Sequence, residues 1–297
     1  MAQNVYQMVT DRIIEQMGKG EIPWRKPWSW TSMDAYGCAI SYTSRRPYSL
    51  LNQFLLGKPG EWLTFKQVKE LGGSVKKGAK SRFVVWYSQI QITETNKDGE
   101  EEIKKIPVLK YYNVFHIDDC EGIKSKIATV EKPEIKAPEA DEASEKAILA
   151  YLEREVTLKF QNDKPSAEAY YSPSKDMVVV PMISQYKDNA EYYSTTFHEL
   201  VHSTMKKSRC NRMDGNKASF FGDENYSREE LVAEIGSAML CNRMGVDTAK
   251  AFKNSVAYLQ GWIKALQNDP KAIVWAAARA EKAARYILGE NEAVQTA

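Results

Sequence analysis

The amino-acid sequence predicts an α+β fold made of two domains. Its length of 297 residues exceeds the usual size of a single domain. Residues 83–117 hold two runs rich in aromatic and β-branched residues, which are typical of strands, whereas most of the sequence after residue 145 is predicted to be helical. Between them, residues 126–144 are poor in aromatic residues and rich in Glu, Lys, Ala and Pro, as in a linker. We therefore expect domains at residues 1–125 and 145–297.

The N-terminal domain is expected to begin with short helices. An apolar stripe predicts a helix over residues 4–17. Two prolines exclude a continuous helix in the tryptophan-rich stretch Ile22–Trp30, which we expect to be an extended loop. Shorter helices are predicted from Pro47 to Leu56 and, capped by Thr64, from Phe65 to Leu71.

Two hairpins are predicted, one in each domain. Phe83–Ile92 and Ile103–Ile117 flank a turn signal and form a long hairpin in the N-terminal domain. A shorter hairpin between Ala167 and Pro181 gives the C-terminal domain a small antiparallel sheet. The rest of that domain is expected to be mainly helical. Its predicted helices span residues 145–155, 188–206, 227–243, 247–267 and 270–288.

Positive charge is concentrated in the first quarter of the sequence. Residues 12–82 contain 13 Lys and Arg against 5 Asp and Glu, a net charge of +8. The whole chain carries only +2, so the remainder is close to neutral or acidic. A local excess of this kind is typical of a surface that meets polyanions.

The sequence predicts a cytoplasmic protein without a membrane anchor. No apolar run approaches the about 18–20 residues of a membrane span. Met1–Gly20 carries Asp11 and Glu15 and is expected to be neither a secretory signal nor a transit peptide. The cysteines are far apart and form no CxxC pair, which predicts reduced thiols. They are Cys38, Cys120, Cys210 and Cys241.

The stretch His198-Glu199-Leu200-Val201-His202 predicts a metal site. The chain has only three histidines, and two of them stand at positions i and i+4, which share one face of a helix. Two imidazoles at this spacing can bind one ion at ~2.0–2.1 Å, as Zn²⁺ requires. Glu199 lies about a quarter-turn away, where it can act as general base toward a water molecule on the metal. The pattern predicts metal-assisted hydrolysis, most often of a peptide bond.

A third ligand is expected, because catalytic zinc sites usually combine three protein ligands with an open position. His116 lies in a strand of the other domain and is a poor candidate. Glu230 and Glu234 share a face of a later helix, which Glu229 does not. Glu230 fits the ligand position of the Glu-type zincins, with Glu234 as acceptor for a ligand histidine. If Glu230 instead closes a capping box with Ser227, Glu234 becomes the ligand. Zn²⁺ is expected, although Mn²⁺ or Co²⁺ also suit two histidines and a glutamate.

The basic segment also predicts binding of single-stranded DNA. Cations can follow the phosphates while bases stack on aromatic rings. Any one tryptophan is more often part of the core, but a net charge of +8 exceeds what solubility requires. Nothing in the pattern predicts recognition of a base sequence. The expected contact residues are Trp24, Arg25, Lys26, Trp28, Arg45, Arg46, Lys76, Lys77, Lys80 and Arg82.

Four stretches of the sequence resemble the ArdC family of antirestriction proteins from mobile plasmids. They are Ile22–Trp28, Gly72–Arg82, Phe197–Thr204 and Tyr226–Glu234, and the resemblance extends in the same order over nearly the whole chain. It implies an N-terminal domain that binds single-stranded DNA and a C-terminal zincin-like metallopeptidase domain. It also implies protection of incoming plasmid DNA from host restriction during conjugation. A protein substrate, such as a restriction component, is a further expected partner.

A competing hypothesis is a DNA-binding shield whose metal is structural. Glu199 separates the two, because a structural site needs its ligands but no acid beside them. Closed structural sites also fill the fourth position with protein. A secreted zinc protease is disfavoured by the unpaired cysteines.

Overall fold

The computed structural model describes residues 4–25, 38–95, 101–127, 137–212, 224–247 and 256–290, and it confirms the α+β class. The α-helices are α1 (Val5–Gly18), α2 (Leu50–Leu56), α3 (Phe65–Glu70), α4 (Ala137–Arg154), α5 (Asn189–Ser203), α6 (Glu224–Met244), α7 (Val256–Asn268) and α8 (Ala272–Leu288). The strands are β1 (Ala39–Ser41), β2 (Gly60–Thr64), β3 (Ser74–Val75), β4 (Arg82–Thr95), β5 (Glu101–His116), β6 (Cys120–Glu121), β7 (Lys159–Gln161), β8 (Tyr170–Ser172) and β9 (Met177–Val179).

The predicted long hairpin is confirmed and forms half of a four-stranded sheet. β4 and β5 pair antiparallel, from Arg82 opposite Val114 to Thr95 opposite Glu101. The strand order is β1-β2-β5-β4, with β1 parallel to β2 and β2 antiparallel to β5. The sequence did not predict β1 or β2, because strands this short show no clear periodic pattern.

Caps explain where the short helices begin and end. Thr64 caps the start of α3, as the sequence predicted, and it does so in a capping box with Gln67. α2 begins at Leu50 and not at Pro47, because Pro47 pairs with Ile40 in a β-bridge. Gly57 ends α2 with a φ of 57°, a left-handed conformation that glycine adopts without strain.

The predicted linker at residues 126–144 is wrong in its second part. α4 begins at Ala137, so residues 137–144 are helical. Ala140 and Ser144 are buried on this helix. Alanine and glutamate are common in linkers, but they are also strong helix formers. Composition alone therefore did not distinguish the first turns of α4 from a linker. Residues 128–136 lie outside the described part of the chain.

The small C-terminal sheet lies beside α5. Its hairpin of β8 and β9 is antiparallel, as predicted, and β7 adds a parallel strand on the other side of β9. Asp176, in the hairpin turn, accepts hydrogen bonds from Lys206 at 2.5 Å and from Arg209 at 2.8 and 2.9 Å. Lys206 and Arg209 follow α5, so these ion pairs hold the sheet against the end of that helix.

Residues from both predicted domains share one hydrophobic core. Ile13 on α1 and Leu231 on α6 belong to the same buried cluster. The Leu50 amide at the start of α2 donates to the Glu281 carboxylate of α8 at 3.0 Å. The N-terminal helices are therefore packed on the C-terminal ones. Among the described helices, none combines the length and the apolar character that a membrane crossing needs.

Candidate metal centre

α5 presents both histidines of the motif on one side. Asp188 begins the helix by accepting a hydrogen bond from the Ala190 amide at 2.8 Å. The helix continues to Ser203, so the motif occupies its C-terminal end. His198 and His202 lie one turn apart, and their Nε2 atoms are separated by 3.1 Å. This arrangement is the one expected from the i and i+4 spacing.

α6 packs closely enough on α5 to bring its carboxylates to the histidines. Gly236 permits this approach, since a Cβ atom there would lie 2.9 Å from the Cγ2 of Val201. One residue further, the Ser237 hydroxyl donates to the Ser194 carbonyl oxygen at 2.7 Å. These contacts fix the position of α6 along α5.

Glu230 completes a group of three donors. One carboxylate oxygen lies 3.4 Å from His198 Nε2 and the other 3.4 Å from His202 Nε2. Atoms bound tetrahedrally at ~2.0–2.1 Å from one ion would be about 3.3–3.4 Å apart, so the residues fit a divalent metal such as zinc. In the described part of the chain, these three residues form a potential ligand group with all donors within 4.8 Å of one another. His116 lies elsewhere, with its ring 3.0 Å from the Pro59 carbonyl oxygen.

Glu229, the candidate ligand that the sequence ranked below Glu230 and Glu234, is a neighbour of the centre. Its carboxylate lies 3.5 Å from His202 Nδ1, the ring nitrogen that faces away from Glu230. Arg212 donates to the same carboxylate at 2.7 and 3.0 Å and to the Val201 carbonyl oxygen at 2.8 Å. Glu229 and Glu230 are adjacent in a helix, so their side chains point about 100° apart. The His202 imidazole has two nitrogens on different sides of its ring, and each can face one of these carboxylates. The second ring nitrogen of His202 is therefore the feature from which a contact with Glu229 could have been predicted.

The centre carries an excess of negative charge. Burial opposes a charge on His202, but the carboxylates of Glu229 and Glu230 outweigh burial and raise its pKa to about 10. Burial also opposes ionisation of Glu230, yet hydrogen bonds with His198 and His202 hold its pKa well below the ordinary value. The pKa of Glu229 is lowered against burial by His202 and Arg212. Such surroundings favour a cation at this point.

Glu234, the alternative ligand, has a different partner. Arg25 donates to its carboxylate through Nε at 3.0 Å and through Nη2 at 2.7 Å. The group of converging donors therefore leaves Glu234 out, both as ligand and as acceptor for a histidine. The start of α6 also differs from the one that the capping box would require. Helix α6 already begins at Glu224, so Ser227 lies within the helix and is not its cap.

Glu199 lies beside the donor group without belonging to it. Its side chain is buried, with 8% of the residue exposed. Its negative charge is one of the causes that raise the pKa of His202. Burial raises the pKa of Tyr186, and the charge of Glu199 raises it further. Tyr186 is a half-buried neighbour that no sequence pattern indicated. A carboxylate in this position can accept a proton from a water molecule.

Two of the predicted DNA contacts are internal, which corrects the prediction. Trp24 is 1% exposed and packs against Phe54, with ring centroids 6.2 Å apart. The side chain of Arg25 is 8% exposed and is paired with Glu234. Neither can stack on a base or reach a phosphate, since both contacts require an accessible side chain.

The other described cations lie at or near the surface. The exposed ones are Arg45, Arg46, Lys76, Lys77 and Lys80. Arg45 is also paired with the buried Glu61. Arg82 is half-buried, and its guanidinium lies 5.7 Å from the centre of the Trp62 ring. Lys26 and Trp28 lie outside the described residues.

Two protein families match the two halves of the chain. Residues 3–115 match the N-terminal domain of the anti-restriction factor ArdC. Residues 150–279 match a zincin-like metallopeptidase family. The second match includes the histidines and glutamates of the candidate metal centre.

Similar proteins cover almost the whole chain. The chain is 30% identical over 98% of its length to the DNA primase TraC of Escherichia coli, but it spans only 20% or 28% of the two TraC proteins. The uncharacterized protein y4eC of Sinorhizobium fredii is 25% identical over 98% of this chain and 94% of its own.

Two solved structures show the same fold. The metal-free crystal structure of the antirestriction protein ArdC from plasmid R388 has a TM-score of 0.69 and 34% identity, and the match covers 97% of this chain and 98% of that one. The Mn(II)-bound structure of that protein has a TM-score of 0.69 and 32% identity, with 99% and 100% covered. The chain therefore belongs to the ArdC antirestriction family, with an ArdC N-terminal domain followed by a zincin-like metallopeptidase domain.

Proposed function

We propose that this protein binds single-stranded DNA without sequence specificity and carries a metal-dependent peptidase site. The observation that supports the second activity most directly is the convergence of His198, His202 and Glu230 beside the buried Glu199. In this proposal the three residues hold Zn²⁺, with Mn²⁺ or Co²⁺ as alternatives. The Mn(II)-bound ArdC from R388 supports a divalent ion in the family.

Each side chain has a separate role in the proposed hydrolysis. When bound, the metal supplies Lewis acidity that lowers the pKa of a water molecule toward about 7. His198, His202 and Glu230 hold the ion. Glu229 accepts from His202 Nδ1 and so fixes the orientation of that ring. Glu199 takes the proton of the attacking water and delivers it to the leaving amine.

DNA binding in this proposal belongs to the N-terminal half. Residues 12–82 carry a net charge of +8. Lys76, Lys77 and Lys80 project from one exposed turn between β3 and β4. Contacts with phosphates explain binding without base specificity, and they predict that affinity falls steeply as salt is raised.

The proposed biological role is protection of incoming plasmid DNA from host restriction during conjugation, in the cytoplasm of the recipient cell. It is supported by membership of the ArdC family and by the similarity to ArdC of plasmid R388. The similarity to TraC proteins, of which the chain spans a small part, supports a connection with DNA. A restriction component is the proposed protein substrate.

Substitution Glu199→Gln tests the hydrolytic role. Loss of the general base should lower the rate of protein cleavage about 10²- to 10⁴-fold, measured on an unfolded protein in the presence of single-stranded DNA. Zinc content should stay unchanged, because Glu199 is not among the donors. Glu191→Gln, on the same helix two turns earlier, is the matched control and should keep full activity. Undiminished cleavage by Glu199→Gln would refute the proposed role.

The alternative function is a DNA-binding shield with a structural metal. It is favoured by one observation, that the N-terminal helices and the metal helices share a core which a bound ion would stabilise. Plasmid transfer into a restricting host distinguishes the two. If the Glu199→Gln protein still protects the plasmid, protection depends on binding and not on cleavage.

A further inference from the structure

The β4–β5 hairpin divides its exposed aromatic residues between two faces. Residues directly opposite each other in an antiparallel pair point to the same face of the sheet. Trp86 is opposite Lys110, and Tyr112 is opposite Val84, two residues before Trp86. Trp86, Lys110 and Tyr112 therefore lie on one face, called here the Trp86 face. Tyr87 and Tyr111 lie on the other.

The tyrosines of the other face have partners within the fold. The hydroxyl of Tyr87 is hydrogen-bonded to that of Tyr6 on α1. The Tyr111 ring makes an edge contact with Phe83, with centroids 6.3 Å apart. A contact with the N-terminal helix thus accounts for Tyr87, and a contact within the hairpin accounts for Tyr111.

The Trp86 face has no such explanation. Trp86 is 39% exposed and Tyr112 is 50% exposed. Within the described part of the chain, neither ring is paired with another aromatic ring or a cation. Tryptophan and tyrosine, which combine a large apolar ring with a polar tip, are enriched at binding interfaces.

Two cations share the Trp86 face by strand register. Lys110 is exposed directly opposite Trp86. Arg82 lies on the same face, four residues before Trp86 and about 13 Å away along β4. Lys77 and Lys80 lie in the exposed turn that leads into β4 at Arg82. The Trp86 face therefore presents two exposed rings beside Lys110, and the turn at the start of β4 adds further cations.

We infer that the Trp86 face binds single-stranded DNA by base stacking. This inference rests on the proposed DNA-binding function and assigns that function to specific residues. Unpaired bases stack on Trp86 and Tyr112, while Lys110, Lys77 and Lys80 contact the phosphates. A protein partner fits this surface less well, because its apolar part consists of two separated rings.

Three double variants test the inference by fluorescence anisotropy with a labelled oligothymidine. Trp86→Ala with Tyr112→Ala should weaken binding about 5- to 150-fold for each ring removed, as loss of a stacked base does. Tyr87→Ala with Tyr111→Ala, on the opposite face of the same hairpin, should leave affinity near that of the unmodified protein. Trp86→Phe with Tyr112→Phe keeps aromatic surfaces and should restore most of the binding.

Salt dependence separates stacking from charge. The Trp86 and Tyr112 variants should lower affinity without changing the slope of log affinity against log salt. Lys77→Gln with Lys80→Gln should instead reduce the magnitude of that slope by about 0.7 for each phosphate that the protein no longer neutralises.

Three results would overturn the inference while leaving DNA binding intact. The first is full affinity when Trp86 and Tyr112 are both replaced by alanine, and the second is an equal loss of affinity in the two double alanine variants. The third is equal competition by a duplex, whose bases are not available for stacking. A failure of the unmodified protein to bind the oligonucleotide at low salt would instead refute the proposed DNA-binding function itself.

Discussion

Glu230 and Glu234 share a face of α6, yet their carboxylates meet opposite surroundings. Glu230 lies 3.4 Å from each of two imidazole nitrogens. Glu234, one turn later, lies in an ion pair with Arg25 in which both side chains are about nine-tenths buried. One carboxylate is thus available to a metal ion, and the other neutralises an internal guanidinium.

This difference predicts different results for Glu230→Gln and Glu234→Gln. Glu230→Gln should lower zinc affinity by more than the about 10- to 100-fold that loss of an outer partner causes. Glu234→Gln should retain zinc but lose stability, up to about 3–5 kcal/mol, because the buried ion pair with Arg25 loses its negative partner. Metal analysis and urea denaturation measure the two effects. Zinc loss in Glu234→Gln with none in Glu230→Gln would reverse our assignment.

At the residue scale, spacing alone predicted the histidine pair, Glu199 and the preference for Glu230. It could not predict Arg25 as the partner of Glu234, because 209 positions separate the two residues in the chain. Composition and charge wrongly placed Trp24 and Arg25 in a DNA-binding surface, because they do not show which side of a loop faces the core.

At the scale of elements, the contact between α5 and α6 depends on a missing side chain at Gly236. Val201, which lies against it, is fully buried. A β-branched residue in a helix has essentially one side-chain rotamer, so Val201 cannot turn aside. The two helices would have to separate to admit a methyl group.

Gly236→Ala should therefore destabilise the fold by about 1–3 kcal/mol, as overpacking does. It should also weaken zinc binding, because Glu230 moves with α6. Gly261→Ala, in α7, is the matched control. Its new Cβ would meet nothing within 4 Å, so stability should rise by up to about 1 kcal/mol. Equal metal affinity and stability in both variants would contradict this account of the helix contact.

Most elements could be predicted from local patterns. Periodicity predicted α1, α5 and the long hairpin, and the Thr64 cap predicted the start of α3. β1 and β7 escaped prediction because each has three residues and pairs in parallel with a strand that is distant in sequence, without the turn signal that marks the equally short β8 and β9. α4 was predicted to begin too late, since its first turns have the composition of a linker and become a helix by packing.

At the scale of the whole molecule, the shared core couples the two halves. Ile13 and Phe54 from the N-terminal half lie in the same buried cluster as Leu231 and Ile273. The sequence indicated two domains through its composition and its linker. It could not indicate this common core, because the pairing of distant apolar faces leaves no local pattern.

Thermal unfolding is therefore expected to show one cooperative transition. Zinc at 100 times its dissociation constant should stabilise the protein by about 2.7 kcal/mol, and the single transition should move to higher temperature. Hydrogen exchange in α2 should slow together with that in α5 and α6, and a chelator should reverse the effect. Glu230→Gln is the control and should not respond. Two separate transitions, of which zinc moves only one, would show that the halves unfold independently.

The ion pair between Arg25 and Glu234 has a consequence for how such proteins evolve. Each partner is supplied by a different half of the gene, and each is embedded where water cannot solvate it. Exchange of either half for an unrelated module would remove one partner of this buried ion pair from the remaining half. Recombination is thus expected to transmit both halves as one inherited block.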